Sequence, residues 1–145
     1  GPGQTDLNAF ARSRQVTVLA KQVLAQGLLT LTGPQITAPV YGSGDHRAGK
    51  SVFTAAVRQV YASHLDAMRA VLGIPAEDLA SLAVRYAAQT LPGGIVLIGL
   101  HTVEQLRQCL HDFTPLPDET LAVLTETGAR IRRALDRLHI VHTHP

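Results

Sequence analysis

The chain has 145 residues, 46% hydrophobic and 17% charged, which suits one domain with one sizeable core and argues against overall disorder. Thirteen Lys and Arg against eleven Asp and Glu leave a net charge of +2. With no basic block interleaved with aromatics, a dedicated nucleic-acid surface is not expected, and no apolar run approaches the ~20 residues of a membrane helix. The single Cys109 excludes an intramolecular disulfide and a cysteine-based zinc site. The length also falls short of a complete eight-fold α/β barrel, which needs about 250 residues. Aromatics make up 4% and Trp is absent, so Ala, Leu, Val and Ile must build the core. With no basic-then-apolar leader, a cytoplasmic protein is expected. Gly1-Pro2-Gly3 reads as an expression scar, residues 4–138 as a single domain, and 139–145 as a His-rich tail.

In chain order, residues 5–13 predict a short helix with Leu7, Phe10 and Ala11 on one face. Residues 16–20, Val-Thr-Val-Leu-Ala, predict a strand. A short apolar run over 24–29 is broken by Gly27. Pro and Gly clusters then mark a long loop over 30–50, a length that is usually functional or disordered in a compact domain. The clearest helix runs from Ser51 to Leu72, closed by Gly73 as its C-cap. Pro75 opens the next helix, with Leu79, Leu82, Ala83, Tyr86 and Ala87 inward. Residues 95–98, Ile-Val-Leu-Ile, predict a strand apolar on both faces, as in a buried parallel sheet. Thr102 and Gln105 form a capping box for a helix whose inward face is Val103, Leu106, Cys109 and Leu110. Residues 115–117 read as a linker, and Asp118 as the cap of a final helix to about Leu138.

Strand, loop, two helices, strand, helix is α/β logic, because parallel strands require long crossovers. Two parallel strands do not make an independent sheet, so their free edges must be covered. A homodimer or higher assembly is the first expectation; a strand added by the loop or by residues 138–141 is the second.

Residues 18–30, Val-Leu-Ala-Lys-Gln-Val-Leu-Ala-Gln-Gly-Leu-Leu-Thr, resemble the seventh-strand motif of aldo-keto reductases, commonly Val-Ile-Ala-Tyr-Ser-Pro-Leu-Ala-Gln-Gly-Leu-Leu-Thr. Gly44-Asp45-His46-Arg47 is similar to a loop that follows it in some members. Residues 74–80 and 84–86 resemble the family's helical approach to the last strand. Residues 96–106, Val-Leu-Ile-Gly-Leu-His-Thr-Val-Glu-Gln-Leu, resemble its eighth-strand motif, and 115–119 the entry to its terminal segment. The likeness runs in order from about Asp6 to Leu124. It implies an α/β fold: a helix-rich, partial (truncated) TIM-barrel-like domain with a small parallel sheet. It covers only the C-terminal part of the family's fold, so the catalytic Asp, Tyr, Lys and His of the N-terminal part have no counterparts in this stretch. By the same resemblance, Lys21 stands where members stack a Tyr on the nicotinamide, and the next two positions are Gln22 and Val23. His101 stands where a Lys or Arg meets the 2′-phosphate of NADPH, and Gln108-Cys109 where an acidic-Asn pair holds adenine. Binding of NADP(H) is therefore expected to be weakened or lost, with no cofactor and no metal.

The candidate catalytic residues are Lys21, Asp45, His46 and His101. Gln22, Gln26, Arg47 and Thr102 are candidates for substrate binding. Lys21 and His101 leave the two strands at the end that carries chemistry in α/β folds, and an acid beside an imidazole in the loop suits acid–base work. The alternatives stay open: a solvated lysine, a polar loop, an inert buried Cys109. The basic residues of the last helix read as a solvated face, and His139, His142 and His144 as a tail. The first functional reading is non-redox catalysis (cyclase, isomerase or dehydratase) on a small natural product in secondary metabolism. A non-catalytic interaction or complementing subunit, and an NADP(H)-dependent carbonyl oxidoreductase remnant, are the alternatives.

Overall fold

The computed structural model describes residues 7–30, 44 and 53–138. Its elements are α1 (Leu7–Ser13), β1 (Leu19–Ala20), a 3₁₀ segment (Ala25–Thr30), α2 (Ala55–Leu72), a 3₁₀ turn (Ala76–Asp78), α3 (Leu79–Thr90), β2 (Ile95–Val96), α4 (Val103–Leu110) and α5 (Asp118–Arg137).

Helix α2 forms because its apolar residues return every three to four positions. Val57, Leu65 and Met68 are buried along that stripe, with Tyr61 and Leu72 half-buried. Thr54 caps its start by accepting from the Val57 amide at 3.4 Å, so the helix begins after the expected Ser51. Gly73 ends it in the left-handed region at φ 65, and its amide donates to the Arg69 carbonyl. Glycine takes that conformation at no Cβ cost. The stripe packs on α5 in antiparallel fashion. Phe53 and Val57 meet Ile131 and Leu135, while Leu65 and Met68 meet the side carrying Leu121, Val123 and Leu124. In this second cluster Leu79 and Leu82 bring α3 into the core.

Segment 111–117 is tied to α3 by polar groups. Gln89 Nε2 donates to the Leu116 carbonyl at 3.1 Å, and the Leu116 amide donates back to Gln89 Oε1 at 2.8 Å. Ser81 donates to the His111 carbonyl, and the Arg85 guanidinium to the Thr114 carbonyl and hydroxyl. Leu116, expected as linker, is 4% exposed and sits in the core. Asp118 is the first residue of α5, not its cap. Pro117 holds the cap position and makes no side-chain bond, and the two acids that follow face the positive end of the helix dipole. On the surface of α5, hydrogen bonds from Arg130 and Arg133 hold the Glu126 carboxyl below its usual range.

The sheet is a single parallel pair, Leu19↔Ile95 and Ala20↔Val96. The Ile95 amide donates to the Val18 carbonyl at 2.9 Å and the Leu97 amide to the Ala20 carbonyl at 2.8 Å. Gly94 makes this approach feasible: a Cβ there would lie 2.4 Å from the Leu91 side chain and 2.9 Å from the Val18 oxygen. Both strands are shorter than the expected 16–20 and 95–98. The second is not buried on both faces, since Ile95 and Leu97 are 52% and 54% exposed. Its apolar run has the composition of a buried strand, but only α3 and the helical layer cover one side of it. Helix α4 likewise departs from expectation. Of its four apolar residues only Cys109 is buried, while Val103, Leu106 and Leu110 are exposed, because among the described residues α4 packs chiefly on α3.

Two tests follow from this packing. Leu65→Ala is expected to destabilise the chain by about 2–5 kcal/mol in urea unfolding, with Leu65→Met costing far less. Burial raises the Tyr61 phenol above its ordinary value of 10.0, so the unfolded chain ionises first. Stability is then intact below that pH and lost as pH rises through and beyond it. Tyr61→Phe should flatten this alkaline loss in a pH series of unfolding curves.

Candidate functional site

Parallel pairing sends the C-terminal ends of β1 and β2 out on the same side. Exposure alternates from Ile95 to His101, with the odd-numbered residues exposed and the even-numbered ones half-buried. That alternation is the mark of an extended chain covered on one face. Leu19, Ile95 and Leu97 therefore share the open face, and Lys21 and His101 continue it. Both are exposed. In the observed register Lys21 follows Ala20 as Leu97 follows Val96, and His101 comes four residues after Leu97, at a bend before α4.

After Lys21 the chain turns sharply. Gln22, Ala25 and Gln26 lie in the left-handed region at φ 62, 48 and 56, followed by Gly27 at φ 97. Non-glycine residues reach this region at a cost, and four such positions within six residues swing the chain off the sheet. Gln22 is exposed there and Gln26 half-buried.

Thr102 sits at the N-cap of α4. Its hydroxyl accepts from the Gln105 amide at 3.1 Å, and Gln105 Oε1 accepts from the His101 and Thr102 amides at 2.8 and 3.3 Å. The capping box read from the sequence is thus present, and it occupies the Thr102 and Gln105 amides, two of the four that a helix start offers. Glu104, in the first turn, adds a carboxylate beside Arg107. Cys109 is 1% exposed, and burial pushes its thiol up, keeping it protonated. Asp45, His46 and Arg47 lie outside the described residues, as do His139, His142 and His144. Among the described residues no three His, Cys, Asp or Glu are grouped for a metal, and no helix is long and apolar enough to cross a membrane.

The ordered strand-seven-like and strand-eight-like segments now sit side by side as a parallel pair with a crossover of helices between them. A family model described as the aldo/keto reductase family matches residues 3–129. The chain belongs to the aldo/keto reductase family. Comparisons with curated proteins and with solved structures returned no match. The fold is that of a partial aldo/keto reductase domain, rich in helix with a small parallel sheet.

Two features escaped the sequence reading. One is the set of bonds from α3 to segment 111–116, which has no local signature. The other is a half-open apolar cleft of about 460 Å³ between β1 and helices α2, α3 and α5. Its only sequence trace is the small pair Ala83 and Ala87, one turn apart on α3.

Thr102→Ala removes the cap of α4 and is expected to cost about 0.5–2 kcal/mol. The loss should appear as faster amide exchange in the first turn of α4 and at His101, with Thr102→Ser restoring most of the protection.

Proposed function

We propose that this chain is the closing segment of an aldo/keto-reductase-type barrel and works by joining the preceding strands and helices of such a barrel, supplied by a longer polypeptide or by a separate subunit. The observation that carries the reading is where the exposed large apolar side chains lie. Leu7, Phe10, Val16 and Leu19 flank β1, and Ile95, Leu97, Val103, Leu106, Leu110 and Phe113 flank β2 and α4. Outside these two seams only Val71 and Leu138 are large, apolar and exposed among the described residues. Contiguous apolar patches of this kind mark interaction surfaces, and strand edges with unpaired backbone groups are templates for another strand. Closing the barrel covers both seams at once and places Lys21, Gln22, His101 and Thr102 at its mouth.

The chemistry of that mouth favours a second element of the reading. The residues present are a poor match for NADP(H). A flexible ammonium replaces the stacking aromatic at Lys21, the His101 and Thr102 amides are taken by Gln105, and Cys109 is buried. A 2′-phosphate there would meet the Glu104 carboxylate, which already pairs with the one arginine of α4, Arg107, at 3.5 Å. We therefore favour non-redox catalysis at the completed mouth, of the cyclase, isomerase or dehydratase kind on a small natural product, over NADP(H)-dependent carbonyl reduction. Lys21 is its candidate electrostatic or nucleophilic group and His101 a candidate acid–base or hydrogen-bonding group.

The test is to mix the chain with the N-terminal part of an aldo/keto reductase barrel ending before the seventh strand. A complex with one copy of each, seen by light scattering, is expected. Leu97→Lys and Leu106→Lys should each weaken it by roughly ten-fold or more, the scale of a central apolar contact. A chain that ignores the partner, or self-associates in preference to it, contradicts the joining role. Tight NADPH binding by the complex, read by nicotinamide fluorescence, contradicts the non-redox role alone.

A further inference from the structure

We draw no further inference here: the strongest candidate, the half-open apolar cleft of about 460 Å³ between β1 and helices α2, α3 and α5, carries nothing because its few polar side chains select no ligand and nothing in the structure shows what fills it.

Discussion

A parallel strand pair leaves backbone amides and carbonyls pointing outward on both sides, and those groups have to be satisfied by something. In this chain the pair is only two residues deep on each strand, held by the bonds from the Ile95 and Leu97 amides to the Val18 and Ala20 carbonyls. Successive residues of a strand turn their backbone groups to opposite sides. Leu19 and Val96 therefore present theirs to the two free edges. Among the described residues the helical layer packs on one face of the sheet, and that explains why apolar side chains of the other face remain exposed along β1 and β2.

The helical layer has its own source of order. Helices α2 and α5 bury a continuous stripe against each other, and α3 joins them through Leu79 and Leu82 while holding segment 111–116 by the Gln89 amide pair and the Arg85 guanidinium. Gly94 links this layer to the sheet, since only a residue without a Cβ lets β2 pass so close to Leu91 and to the Val18 carbonyl. The scaffold that presents Lys21 and His101 is thus fixed from the helical side, and their own side faces outward.

Local signals were legible in the sequence. The Thr102–Gln105 capping box and the Gly73 cap were both read correctly, because each depends on residues within one or two turns of each other. The family and its partial coverage were legible in two ordered strand-end motifs. What periodicity does not tell is what a face meets. Val103, Leu106 and Leu110 have the spacing of an inward stripe, yet they lie exposed, and the same holds for Ile95 and Leu97. Under the joining reading these residues are inward in a completed barrel, so the pattern records a contact that this stretch of chain does not make by itself. The α3 clamp and the apolar cleft left no pattern, because both arise from residues brought together across 27 to 30 positions or from small side chains that leave space. At the candidate site, Lys21 and His101 are both exposed, and no local motif sets how they stand relative to each other.

Amide hydrogen exchange at Leu19 and Val96 tests the central claim most directly. In the chain alone these two edge amides should exchange quickly while Ile95 and Leu97, bonded within the pair, are slowed. On addition of the N-terminal part of an aldo/keto reductase barrel, Leu19 and Val96 should become protected together, because closing the barrel pairs both edges. Edge amides already as protected as Ile95 and Leu97 in the isolated chain, or left fast after the partner is added, would contradict the account.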